Sequence, residues 1–220
     1  MTAISEERLA QGAQQEQELL WYTACPPYQE VLKAFQERYP FVKAEGIYLG
    51  GPTIAQRFYA DKQRGVEFAD VFTSGLTEVY PDMREKNYLA RMDGLPNWNA
   101  HPGWAKDVEG SYAFFQAIQH VIMYNTDQVA DTEAPTSYAE LTDPKWKNKV
   151  TLVGPDTGGM GVYLARFLAQ RPELGFSWME EMRANSVQLS YQVGQLRETV
   201  STGVRPIGLG RDLEAVRAKK

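Results

Sequence analysis

The sequence predicts an α/β fold in which mostly parallel sheets are flanked by helices. The first third of the 220-residue chain alternates short apolar segments with amphipathic ones, which is typical of such sheets. A second strand–loop–helix unit follows later, where the buried-type strand Val150–Val153 leads through the turn Gly154–Gly159 into a helix that begins near Met160. A hydrophobic content of 43% is enough for one large core or two small ones.

In the first half of the chain, helices and strands alternate. Val31, Leu32 and Phe35 share one face of a helix that Pro40 ends, and Gly50-Gly51-Pro52 separates the next strand from its helix. The predicted elements are a polar helix at 4–18, strands at 18–23, 42–49 and 68–72, and helices at 28–39 and 53–64.

The second half begins with an irregular segment. Residues 92–110 are rich in Pro, Trp, Asn and Gly and predict a loop, and the apolar run 114–124 predicts a long strand that crosses between domains. The later predicted elements are helices at 137–141, 176–184, 194–202 and 212–219, and strands at 150–153, 187–191 and 206–209.

Composition excludes several classes of function. A net charge of −5 with scattered cations argues against nucleic acid or an anionic membrane surface as a partner. The single cysteine, Cys25, excludes an internal disulfide and a multi-cysteine metal site, so we expect no bound metal and no cofactor. The polar, glutamine-rich N-terminus lacks the apolar core of a signal peptide.

A series of short motifs resembles the solute-binding proteins of bacterial ABC importers, in the extracellular family that includes the ferric-ion binders. Their order and spacing over about residues 10–218 carry the resemblance. The motifs are Leu20-Trp21-Tyr22-Thr23, Gly50-Gly51, Ala69-Asp70-Val71-Phe72, Tyr124-Asn125-Thr126-Asp127, and Asp143-Pro144-Lys145-Trp146-Lys147-Asn148-Lys149-Val150.

The resemblance implies a two-lobed fold that clamps a small solute in a cleft and passes it to an ABC permease in the inner membrane, with no chemistry done on it. The lobes are expected at 1–115 and 125–220, joined by a crossing strand at 116–124. It also implies a monomer in the periplasm or an extracellular lipoprotein whose signal peptide is absent from this chain. Family members are longer, so we expect the C-terminal part of the first lobe to be missing here.

Carried over to this sequence, the resemblance places the ligand contacts on loops at strand ends. Hydroxyl groups and backbone amides of such loops bind oxyanions well. The expected contacts in the first lobe are Thr23, Ala24, Cys25, Gly50, Gly51, Thr53, Thr73 and Ser74. Those in the second lobe are Asp156, Thr157, Gly158, Gly159, Gly210, Arg211 and Asp212. For the turn before the helix near Met160, local chemistry alone favours a helix that is simply capped by Asp156 or Thr157.

One position bears on the charge of the solute. Ferric binders of this family carry two adjacent tyrosines where the last strand meets its helix, and here that position reads Gly210-Arg211-Asp212. An arginine favours a carboxylate or phosphate and repels a bare cation, so we expect a small anionic solute. Tyr22, Tyr163 and Tyr191 could still face the cleft, although core packing is the default for an aromatic residue.

Three alternatives stay open. The first keeps iron as the ligand, alone or as a ferric complex with a small anion. The second is the effector-sensing domain of a transcription regulator, which the lack of a helix-turn-helix before residue 18 disfavours. The third is an enzyme that uses Cys25 as nucleophile with His120 as base, although nothing in the sequence supplies an orienting group for that pair.

Overall fold

The computed structural model describes residues 4–25, 28–66, 69–155 and 159–218. The chain divides into two compact units, Met1–Gln116 and Ala117–Lys220, and each unit has its own sheet. The predicted α/β class with mostly parallel sheets is confirmed. The predicted assignment of 1–115 and 125–220 as lobes joined by 116–124 stays a prediction.

The first unit contains a three-stranded parallel sheet in the order β2-β1-β3. Pro52 lies in the first turn of its central helix α3, where a missing backbone N–H does no harm. Its elements are α1 (Glu6–Glu16), β1 (Glu18–Thr23), α2 (Tyr28–Arg38), β2 (Lys43–Tyr48), α3 (Gly51–Gln63), β3 (Val71–Thr73) and α4 (Val79–Glu85). Short 3₁₀ turns follow at Trp98–Ala100 and Gly103–Ala105.

The second unit contains a four-stranded sheet in the order β4-β7-β5-β6, in which only the edge strand β4 runs antiparallel among the described strands. Its elements are β4 (His120–Tyr124), β5 (Val150–Val153), α5 (Gly159–Ala169), α6 (Gly175–Ala184), β6 (Gln188–Ser190), α7 (Val193–Ser201), β7 (Ile207–Arg211) and α8 (Asp212–Ala218). Two 3₁₀ turns lie between β4 and β5, at Ala139–Thr142 and Pro144–Trp146.

The predicted strand 114–124 is wrong in its first half. The N–H of Phe114 donates to the carbonyl of Ala105 at 2.7 Å, so this residue pairs locally. β4 begins only at His120, which lies opposite Arg211, the last residue of β7. Because β7 ends at Arg211, it has no residue to pair with the segment before His120. The segment keeps one hydrogen bond nearby, from the N–H of Asp212 to the carbonyl of Gln119 at 3.0 Å.

Three smaller differences concern the other elements. Helix α4 was not predicted, because seven residues that include Pro81 give no clear helical period. The helix predicted at 137–141 is the 3₁₀ turn at Ala139–Thr142, and the predicted strand 68–72 is β3 at Val71–Thr73, with Phe68 outside the described residues.

In the described ranges, no helix has the length and apolar character needed to span a membrane.

Each unit has its own apolar core. In the first unit, Tyr22 of β1 packs with Ile54 and Phe58 of α3 and with Met83 of α4. The larger core of the second unit is centred on Leu209 and on Leu196, both fully buried. The strands therefore occupy the centre of each unit, and their carboxyl ends are left to form loops.

Two glycines of β7 let α7 lie close to the sheet. A β-carbon at Gly208 would lie 2.7 Å from Val200 Cγ2 and 3.1 Å from Met123 Cγ, and one at Gly210 would lie 3.0 Å from Leu196 Cδ2. Such distances leave no room for a side chain without a shift of the helix or the strand. The small residues of β7 thus set the separation between α7 and the sheet.

We predict that Gly208→Ala lowers the free energy of unfolding by about 1–3 kcal/mol, because the added methyl group overpacks the contact with α7. Urea unfolding followed by circular dichroism measures the change. Gly194→Ala is the matched control, because Gly194 lies in α7 with no atom within 4 Å of an added β-carbon. That substitution should leave stability unchanged or raise it by up to about 1 kcal/mol. Equal effects of the two substitutions would contradict the packing argument.

Candidate functional site

The carboxyl end of β7 carries a buried ion-pair network. Arg211 ends the strand with 9% of its surface exposed, and its Nη2 donates to Glu214 Oε1 at 2.7 Å. Glu214 is only 2% exposed and also accepts from Arg197 Nη1 at 2.7 Å. A carboxylate buried between two guanidinium groups is satisfied in charge and in hydrogen bonding. The network therefore fixes the orientation of the Arg211 side chain.

The guanidinium of Arg211 is not fully used by this network. Its Nε is buried and has no hydrogen-bond partner among the described residues. Because a guanidinium is charged at all ordinary pH values, this N–H is a permanent donor for an acceptor oxygen.

His120 lies directly opposite Arg211 in the β4–β7 pairing, and sequence reasoning did not place it at the site. Its Nε2 is also buried without a partner in the part of the chain that the structure describes. Burial lowers the pKa of His120, a hydrogen bond with the backbone of Met160 and the charge of Asp212 oppose that effect, and Arg211 adds to it. The ring therefore connects the edge strand to the first turn of α5.

Of the other predicted contacts in the second unit, some can be placed and some cannot. Asp212 begins α8, and its Oδ1 accepts from the N–H of Leu213 at 2.8 Å. Gly210 packs against α7, and Gly159 begins α5. Asp156, Thr157 and Gly158 lie outside the described residues.

In the first unit, a chain of hydroxyl groups links the ends of β1 and β3. Trp21 Nε1 donates to Thr73 Oγ1 at 2.9 Å, and Thr73 Oγ1 donates to Thr23 Oγ1 at 2.9 Å. Thr23 Oγ1 also accepts from the N–H of Cys25 at 3.0 Å, and the N–H of Ala24 donates to the Thr73 carbonyl at 2.9 Å. The structure thus brings Thr23, Ala24, Cys25 and Thr73 together, and their contact with a ligand stays a prediction.

The first turn of α3 lies beside this group. A β-carbon at Gly51 would be 3.6 Å from Ser74 Oγ and 3.3 Å from Leu76 Cγ, so the helix begins against the loop after β3. Gly50 occupies the N-cap without a side-chain cap, and Thr53 is exposed in the first turn. The N-terminus of a 13-residue helix is electropositive, which favours an anionic group nearby.

The tyrosines considered as ligands differ in position. Tyr22 is fully buried, its hydroxyl donates to Asp61 Oδ2 at 2.9 Å and accepts from Arg57 Nε at 3.1 Å, and burial raises its pKa. It is a core residue. Tyr191 follows β6 with 55% of its surface exposed and lies against Gly154 at the end of β5. The described ranges contain no group of three or more His, Cys, Asp or Glu residues that could hold a metal ion.

Residues 66–208 match the family model of bacterial extracellular solute-binding proteins. The match covers more than half of the chain. The chain belongs to this family. No curated protein sequence matches this chain.

Solved structures of similar fold extend the comparison. The substrate-binding protein of an ABC transporter from Agrobacterium tumefaciens has a TM-score of 0.77 at 19% identity, covering 92% of this chain and 62% of that chain. Iron-bound HitA from Pseudomonas aeruginosa has a TM-score of 0.73 at 18% identity, and the match covers 92% of this chain and 65% of HitA. AfuA from Actinobacillus pleuropneumoniae, with fructose 6-phosphate bound, has a TM-score of 0.71 at 19% identity, covering 92% and 66%. The chain thus shares the fold and spans less than two thirds of these proteins.

We predict that Glu214→Ala lowers the free energy of unfolding by about 3–5 kcal/mol, because Arg211 then keeps a buried charge without its partner. Chemical unfolding of the chain measures the loss. Glu198→Ala is the control, because Glu198 is exposed on α7, and it should change stability by less than about 0.5 kcal/mol. If both variants unfold at the same urea concentration as the unchanged chain, the buried network contributes no net stability.

Proposed function

We propose that this chain is the solute-binding part of an ABC importer and that it captures a small anionic solute for delivery to a membrane permease. The family match and the fold of the related ABC transporter protein support the transport role. We also propose a periplasmic or lipoprotein-anchored location, a monomeric state and no nucleic-acid partner. No catalytic step belongs to this proposal, because the family is one of binding proteins.

The observation that carries the anionic character is the unpartnered Nε of Arg211 in a buried, oriented guanidinium. A buried N–H that is left unsatisfied costs free energy, so an acceptor oxygen at this point is favoured. The ion pair with Glu214 holds the donor in place before the solute arrives, which reduces the entropy lost on binding.

The first unit supplies a second reason for an anion. The uncapped N-terminus of α3, with Gly50, Gly51 and Thr53, presents backbone N–H groups at the carboxyl end of the parallel sheet. Ligands of open α/β sheets bind at this end of the strands. AfuA, which has a similar fold, holds a sugar phosphate.

Ferric iron as the solute has less support. The last strand ends in Gly210-Arg211-Asp212, so neither residue that follows Gly210 is a phenolate donor. A hard cation prefers anionic oxygen ligands, and the positive charge of Arg211 opposes it. HitA binds iron on a similar fold, but the likeness at 18% identity concerns the fold alone.

The test is calorimetry of the whole chain with fructose 6-phosphate and with citrate as anionic probes. We predict that Arg211→Ala weakens the binding of the better probe by roughly tenfold to more than a hundredfold, because a hydrogen bond to a charged group contributes about 1.5–3 kcal/mol. Arg197→Ala is the matched control. It also removes an ion pair with Glu214, but Arg197 lies on α7 and does not end a strand.

Two outcomes would contradict the proposal. If the two variants lose affinity equally, the effect comes from the ion-pair network and not from an Arg211 contact with the solute. If neither anion binds and ferric ion binds tightly with a tyrosinate absorption band in both variants, iron is the solute.

A further inference from the structure

The pairing of β4 with β7 brings two unused nitrogen atoms to the same face of the second sheet. His120 and Arg211 are direct cross-strand partners, so both side chains point to one side of the sheet with their β-carbons roughly 5 Å apart. The adjacent residues Val121 and Gly210 point to the other side, where Gly210 contacts Leu196 of α7. His120 and Arg211 therefore share the face of the sheet opposite α7.

A hydrogen bond fixes each of the two side chains, and each side chain has one buried nitrogen without a partner in the described structure. Glu214 holds Arg211 through Nη2, and Arg211 Nε remains unused. The backbone of Met160 hydrogen-bonds the imidazole of His120, and Nε2 remains unused in the described structure. Since the hydrogen bond to Met160 favours the charged ring, Nδ1 is the nitrogen that donates it. Nε2 is then an acceptor in the neutral ring and a donor in the protonated ring.

Burial is the main reason why the pKa of His120 lies below its ordinary value without a solute. The positive charge of Arg211 lowers the pKa of His120 further, by the smallest of these effects. Asp212 favours the charged ring, but its effect is smaller than that of burial. Glu214 is already neutralised by Arg197 and Arg211. Tyr138, from the segment before β5, donates to the main-chain carbonyl of His120 at 2.8 Å and adds no charge.

We propose that one anionic oxygen of the solute accepts hydrogen bonds from both Arg211 Nε and His120 Nε2, and that His120 takes up one proton from the solvent when this oxygen binds. The inference rests on the proposed function and adds to it a second recognition residue and a proton. The step balances: one O–H bond of a hydronium ion in bulk water breaks, one N–H bond forms at Nε2, and the anion balances the new imidazolium charge. The lone pair of neutral Nε2 would otherwise face the anionic oxygen and repel it.

The direction of the pH effect follows from linkage. In the free chain the pKa of His120 is below its ordinary value, and a bound anion raises it. Affinity for the anion should therefore rise as the pH falls between the bound-state pKa and the free-state pKa, by up to about tenfold per pH unit for one proton. Above the bound-state pKa and below the free-state pKa, affinity should not change with pH.

We predict that sulfate, which remains a dianion from weakly acidic to neutral pH, raises the pKa of His120 in the whole chain. The chain has two histidines, so the imidazole ¹⁵N signals are few, and His101→Gln assigns them. His101 Nε2 lies 2.9 Å from the Phe114 carbonyl in the first unit, and its pKa should not respond to sulfate. Sodium chloride at equal ionic strength controls for screening.

The variant His120→Gln separates a titrating role from a merely polar one. The Gln amide keeps one donor and one acceptor but does not titrate, so sulfate affinity in this variant should not depend on pH over the range in which the unchanged chain responds. His101→Gln should keep the full pH dependence. The unchanged chain supplies the NMR result by itself, so the proposal stays testable if the His120 variant folds poorly.

The outcomes distinguish this inference from the proposed function. If fructose 6-phosphate or citrate binds through Arg211 while the pKa of His120 stays constant with sulfate, the solute site stands and the proton uptake is wrong. If the solute places a hydroxyl group at this point and not an anionic oxygen, the pKa of His120 should stay constant and the affinity should not depend on pH. That result also overturns the inference. If no anion binds at all, both proposals fall.

Discussion

The buried carboxylate of Glu214 is the interaction on which the end of the second sheet depends. It joins Arg197 of α7 and Arg211 of β7 to the first turn of α8, and each contact is 2.7 Å long. A buried carboxylate is stable only when its charge and its lone pairs are satisfied, so these three elements have one favourable arrangement. The same ion pair fixes the orientation of the Arg211 side chain and leaves its Nε without a hydrogen-bond partner in the described structure. Arg211 is therefore both one end of a structural ion pair and the side chain that we propose contacts the solute.

The rest of the architecture follows from parallel strand pairing. Parallel strands need crossover helices, and these return the chain so that the carboxyl ends of β1 and β3 lie side by side. The hydroxyl groups of Thr23 and Thr73 then meet without any sequence proximity. In the second sheet, the edge strand β4 is antiparallel to β7, so the first residue of β4, His120, lies at the carboxyl end of β7. A residue at the start of one strand thus joins residues at the end of another.

Local pattern was sufficient for most elements and for part of the site. Alternating apolar segments located β1 and β5 at their observed bounds, and the loops after β1 and β3, which the family resemblance gave as expected contacts, lie together. The pattern failed at 114–119, because an apolar run indicates burial or pairing but not which partner is available. It also gave His120 only as the base in the enzyme alternative with Cys25, and not as a contact of the solute. No signal in the sequence reveals that this ring lies opposite Arg211, since register depends on both strands.

By itself, the sequence determined the fold class, the positions of most strands and helices, and an arginine where ferric binders carry two tyrosines. The fold class and the element positions depend on residue type and short-range period, which can be read along the chain, whereas the significance of the arginine came from the family resemblance. Only the tertiary structure decided that Arg211 is held by Glu214, that His120 shares its face of the sheet, and that each keeps one nitrogen free in the described structure. The physical reason is that hydrogen bonds between distant residues depend on strand register and helix packing, which are set by the whole core and not by any one segment.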